Sequence, residues 1–119
     1  MARTLLVYAE DLLSGTQVRD TAQQLGYSAS TVASLDLLVD RLASSPHLLL
    51  VDVTARPDWP AVVAAAREHG TPVVAFGNHM DLASRDRAIE AGVDGVIANS
   101  LVATDLGGVL RKYARGEET

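Results

Sequence analysis

Runs of apolar residues alternate five times with segments whose apolar positions recur at helical spacing. Thr4-Leu5-Leu6-Val7-Tyr8 reads as a first strand. The next segment predicts a helix starting near Ser14, with Gln17 completing a capping-box pattern and Val18, Ala22 and Leu25 as the core face. Gly26 suits the left-handed residue that ends such a helix. Tyr27 to Val32 is poor in aliphatics and predicts a weak edge strand. Ser34 is placed to cap a helix that buries Leu35, Leu38 and Leu42 and exposes Asp36, Asp40 and Arg41. His47 to Val53 is almost wholly apolar, as expected of a strand buried on both faces.

The second half continues the alternation. Asp58 is a candidate cap, and Pro60 falls in a first helical turn, where its missing N–H costs nothing. The helix that follows buries Val62, Val63 and Ala66 and runs through Glu68 to Gly70. Thr71 to Phe76 predicts the fourth strand, and residues 77–81 a turn-rich loop. A short helix from Ala83 to Ala91 ends at Gly92, and Gly95 to Ala98 predicts the fifth strand. A last helix from about Ala103 to Tyr113 carries the stripe Leu106, Val109, Leu110 and Tyr113, leaving a polar tail from Ala114 that is expected to fray. Strands and helices in strict alternation imply an α/β fold with a parallel sheet covered on both faces. The expected architecture is a flavodoxin-like three-layer α/β/α sandwich, strand order 2-1-3-4-5, formed by one domain over residues 1–119.

Composition narrows function mainly by exclusion. A net charge of −5 argues against nucleic acid or an anionic membrane surface as partner. The absence of cysteine excludes disulfides, thiol catalysis and thiolate metal sites, and fits a cytoplasmic protein. No signal peptide or membrane-spanning stretch is read. The serines lack a nucleophile-elbow context, and no glycine-rich phosphate loop is present, so no enzyme activity is expected.

The candidate chemistry centres on Asp52. A carboxylate closing a buried parallel strand lies where open α/β sheets bind ligands. A buried carboxylate needs partners, and Thr54, Asn99 and nearby loop amides are the available donors. Glu10 and Asp11, after the first strand, are either metal ligands with Asp52 or a solvated acidic turn. His79 is the one imidazole expected to face Asp52, either as a charge, base or ligand or as a locally bonded loop residue, while His47 and His69 read as structural. Gly77 and Asn78 could expose amides to a phosphate, and Trp59 either covers the site or marks a contact surface, or is a half-buried residue beside a loop.

These pieces resemble a known family. The acidic end of the first strand (Leu5 to Asp11), the buried strand ending near Asp52, Pro72-Val73-Val74-Ala75-Phe76 and Ala91-Gly92-Val93-Asp94-Gly95-Val96-Ile97 are together similar to bacterial response-regulator receiver domains of the CheY-like superfamily. The resemblance runs from about Arg3 to Tyr113. It implies that Asp52 is the phosphoacceptor equivalent, that Ala9-Glu10 stands at the acidic pair, with Asp11 next, and that Mg2+ is the cofactor to consider. The family's Thr or Ser after the fourth strand falls on Gly77, its Lys on Asn99, the following Pro on Ser100, and its switch aromatic on Val96.

Those departures remove the fixed cation, the hydroxyl that follows the phosphoryl group and the aromatic that reports its movement. The resemblance therefore implies an atypical, pseudo-receiver variant: a stand-alone signalling module, not phosphorylated, with no cofactor, working through another protein or as a homodimer. The family's pairing face would here include Arg85, Arg87, Glu90, Asp94, Asp105 and Arg111, whose mixed charges suit a symmetric dimer. The alternatives are a Mg2+-dependent phosphoacceptor in a two-component relay and a small ligand-binding flavodoxin-like protein.

Overall fold

A computed structural model describes residues 3–9, 12–77 and 82–115, without the side chains of 12–17. Strand β1 (Arg3–Tyr8) leads to helix α1 (Leu12–Gln24), β2 (Tyr27–Val32), α2 (Leu35–Leu42) and β3 (Leu48–Asp52). A single 3-10 turn, Val53–Ala55, precedes α3 (Trp59–Glu68), β4 (Val73–Gly77), α4 (Leu82–Ala91), β5 (Gly95–Ala98), α5 (Asn99–Thr104) and α6 (Leu106–Tyr113). The strands form one parallel sheet in the order β2-β1-β3-β4-β5, as the alternation predicted.

Strand periodicity divides the core into two layers. Leu5, Val7, Leu48, Leu50, Val74 and Phe76 pack toward α1, α5 and α6, while Leu6, Tyr8, Leu49, Val51, Val73 and Ala75 pack toward α2, α3 and α4. Every residue of β3 is buried, because both faces of this central strand are covered. The Ser34 hydroxyl accepts from Leu37 N–H at 3.2 Å, and the Asp58 carboxylate accepts from Ala61 N–H at 3.3 Å, so both expected caps form. Gly92 turns the chain from α4 toward β5 at φ +97°, where a side chain would be strained.

Several expectations need correction. Helix α1 starts at Leu12, so Ser14 and Gln17 lie inside it and not at its start. Leu25 is 44% exposed, because α1 stops at Gln24 and the chain turns through Gly26. The last helix is broken at Asp105 (φ −144°, ψ 49°), whose side chain accepts from Gly108 N–H at 3.2 Å. An aspartate that caps locally, followed by Gly107-Gly108, favours a new helix start over a continuous helix. The chain after α6 is held in place through Arg115. Its backbone N–H donates to His47 O at 2.7 Å, and its guanidinium donates to Ser45 O at 2.8 Å and His69 O at 3.3 Å.

Trp59 is only 5% exposed and belongs to the core beneath α2, α3 and α4, so it is neither half-buried nor a surface marker. His47 is structural, as expected: its Nδ1 accepts from Thr4 N–H at 3.1 Å. Thr71 is completely buried, and its hydroxyl donates to Pro46 O at 3.0 Å. A Thr71→Val variant keeps the shape but leaves that carbonyl unpaired, so urea denaturation should show a loss of about 1–2 kcal/mol that Thr71→Ser largely avoids.

Candidate functional site

Asp52 ends β3 level with Phe76 of β4, at the carboxyl edge of the sheet. It is 9% exposed. Its Oδ1 accepts from Thr54 N–H at 2.9 Å and from the Thr54 hydroxyl at 2.8 Å. Asp52 thereby caps the 3-10 turn Val53–Ala55, which closes at Arg56 in the left-handed region. Thr54 was one of the candidate donors; Asn99, another, makes no bond to Asp52. The second oxygen, Oδ2, takes no hydrogen bond among the described residues. No buried side-chain polar atom among the described residues lacks a partner.

The surrounding positions are poor in the groups that phosphoryl chemistry uses. Ala9, one residue beyond the Tyr8–Val51 pair, is fully buried and brings no oxygen ligand to the edge where a first acidic residue was mapped. Gly77 closes β4 opposite Ala98 and offers no hydroxyl. Asn99 opens α5 and turns toward a cleft of about 320 Å³ that it lines with Val18, Thr21, Phe76 and Val102, between α1 and α5. Ser100 is exposed, and its carbonyl accepts from the Thr104 hydroxyl at 2.7 Å. Val96 packs toward the α2–α4 layer. Glu10, Asp11, Asn78 and His79 lie outside the described residues. Among the described residues no cluster of three or more metal-ligating side chains occurs.

The charged positions assigned to a pairing face differ in their local contacts. Arg85, Arg87 and Glu90 are exposed on α4. Asp94 is engaged at the amino edge of the sheet: its Oδ2 accepts from Val73 N–H at 2.7 Å and from Arg67 Nη1 at 3.1 Å. Asp105 is the α6 cap. Arg111 lies beside Arg3, Leu25 and Tyr27, on the α1 side of α6. The Arg67–Asp94 pair spans 27 residues of sequence, so no local spacing signals it.

No protein-family model and no curated protein matches the chain. Solved structures do. A CheY-like response-regulator receiver domain from Methanospirillum hungatei superposes with a TM-score of 0.79 at 16% identity, covering 94% of this chain and 93% of that one. The signal receiver domain of a modulated diguanylate cyclase from Desulfovibrio desulfuricans gives 0.77 at 20% identity, covering 94% and 93%. A response regulator from Thermotoga maritima gives 0.76 at 16% identity, covering 94% and 97%. With its 2-1-3-4-5 parallel sheet between two helical layers, this chain has the CheY-like, flavodoxin-type fold of response-regulator receiver domains.

Proposed function

We propose that this protein is a receiver-like signalling module that acts through protein contacts and not through phosphorylation of Asp52. One observation carries the reading: Asp52 Oδ1 is used as a cap by Thr54, in a site where Gly77 and Asn99 replace hydroxyl and ammonium groups. Phosphoryl transfer depends on positioned charge, and neither replacement supplies any.

The surface for such contacts is α4. Its inward side is built of small residues, with Ala88 fully buried, while Leu82 and Ile89 are 74% and 50% exposed. Leu82, Arg85, Asp86 and Ile89 form one outward stripe at helical spacing. The stripe is self-complementary. In an antiparallel pairing whose two-fold axis passes between Arg85 and Asp86, Leu82 of one copy meets Ile89 of the other, and each Arg85 meets an Asp86. Exposed ion pairs of this kind add at most about 1 kcal/mol each, so the apolar contacts dominate. Light scattering over a concentration series should show a dimer that Ile89→Glu abolishes; a mass that stays monomeric at all concentrations would refute self-association.

A second reading, a Mg2+-dependent phosphoacceptor, is favoured by Asp52 Oδ2 at the carboxyl edge, which takes no hydrogen bond among the described residues. That oxygen could join a hard-cation ligand set, and the metal would supply neutralisation of phosphoryl charge. The described residues contribute only Asp52 to such a set.

A further inference from the structure

Strand β2 is one edge of the sheet, and among the described residues only β1 pairs with it. Val32 O accepts from Ala9 N–H at 3.0 Å, so the main-chain groups of Val32 face β1. Those groups alternate sides along a strand, which puts Ser28 and Ser30 on the same side and turns the N–H and C=O of Ala29 and Thr31 outward. Native edges are commonly guarded by lysine, proline, a bulge or short length. Here the edge sequence Tyr-Ser-Ala-Ser-Thr-Val has no charge and no proline, and it keeps register with β1 over all 6 residues. It is longer than the 4 residues of β5 at the other edge.

A groove of about 350 Å³ adjoins this edge. Arg19 and Gln23 of α1 line one side, and Gly26, Tyr27, Ser28 and Ala29 the other. Tyr27 and Ala29 pack into the layer beneath α1, so the groove lies over the face that carries their side chains. Gly26, Ala29, the Tyr27 ring and the methylene stems of Arg19 and Gln23 make it a largely carbon-walled socket. An extended chain laid along β2 places every second side chain on that face. The strand edge thus offers main-chain hydrogen bonds and the groove a seat for a side chain, the two components of strand addition.

We propose that β2 takes up an extended segment of another protein as a sixth, antiparallel strand, with a large apolar side chain of that segment seated in the groove opposite Ala29. A second copy of this chain fits less well. Six residues of strand bury too little for two folded chains to hold together, since stable contacts between them need roughly 1,200–2,000 Å². A flexible segment draws instead on the main-chain bonds and the one socket. Antiparallel pairing is the more stable per residue. This edge lies across the sheet from β4 and β5, where α4 packs, so it is separate from the α4 contact and does not depend on it.

The probe is the capped peptide acetyl-Ser-Thr-Val-Phe-Val-Thr-Ser-amide, titrated into the full chain and followed by amide NMR and hydrogen exchange. Saturable shifts are expected along β2 and at Arg19 and Gln23, with exchange slowed at the outward amides of Ala29 and Thr31. Replacing the peptide's phenylalanine by alanine should weaken binding roughly tenfold, the scale of burying one large apolar side chain. N-methylation of that phenylalanine and of the second threonine, whose N–H groups face β2, should also weaken it about tenfold, whereas N-methylation of the two valines, which face away, should weaken it far less. Thr31→Pro removes an outward donor from the chain while sparing the bonds to β1, and should weaken binding too. Binding indifferent to where the peptide is methylated, or shifts centred on α4, would overturn the proposal. So would β2 shifts that grow with protein concentration in the absence of peptide, which would assign the edge to a second copy.

Discussion

Replacing Trp59 with alanine should cost the fold about 3–5 kcal/mol, the range for deleting a large buried aromatic side chain. The indole is 5% exposed at the first turn of α3, within the apolar layer that also holds Tyr8, Val51, Val53 and Val62. Nothing in that layer is placed to refill the space, because cores pack near crystal density and relax only partly around a cavity. Trp59→Phe should recover much of the loss. Urea denaturation followed by circular dichroism measures both. A loss below about 1 kcal/mol for the alanine variant would return Trp59 to the surface role that its place beside a loop suggested.

Asp94→Ala should cost about 2–3 kcal/mol, more than an exposed ion pair would suggest, since hydrogen bonds to charged groups lie in this range. The carboxylate is 39% exposed, and its pairing with Arg67 alone is worth little. Its main contribution is the 2.7 Å bond from Val73 N–H, at the first residue of β4. Removing it leaves that amide unpaired where the strand enters the sheet. Arg67→Ala should cost less, since Asp94 keeps its bond from Val73 when the arginine is gone. Arg67 also donates to Gly92 O at 2.7 Å, so the variant removes that link between α3 and the turn before β5. Equal losses in the two variants would show that the ion pair, and not the backbone bond, holds this corner.

The architecture was legible because its signals are periodic. The buried run Leu48 to Asp52, the caps Ser34 and Asp58, and the turn at Gly92 each constrain their own neighbourhood, and the parallel order follows from the alternation they define. The break at Asp105 was not legible, since Leu106, Val109 and Leu110 keep one apolar stripe and only the capping geometry of Asp105 shows where the helix restarts. Arg115 falls within the polar tail expected from Ala114, because its partners Ser45, His47 and His69 lie far back in the sequence.

The site was legible in part. Asp52 at the strand end and Thr54 as its donor were both anticipated from the chain. Asn99, another of the candidate donors, does not bond to Asp52; it opens α5 and lines the cleft beside α1. The contacts of the charged positions were hidden for the same reason as the tail contacts: Asp94 meets Arg67 and Val73, and Arg111 turns toward Arg3 and Tyr27. Helix α4 and helix α6 lie on opposite sides of the sheet, and linear spacing does not say which way Arg111 turns.

The most direct test of the central claim is an amide NMR titration with beryllofluoride and Mg2+, in which the beryllofluoride stands in for a phosphoryl group on Asp52. A contact-driven module without a phosphoryl switch should show no saturable shifts at Asp52, Thr54 and Gly77 at millimolar Mg2+. Saturable shifts at those three residues, lost in Asp52→Asn, would contradict it and establish Asp52 as a working phosphoacceptor.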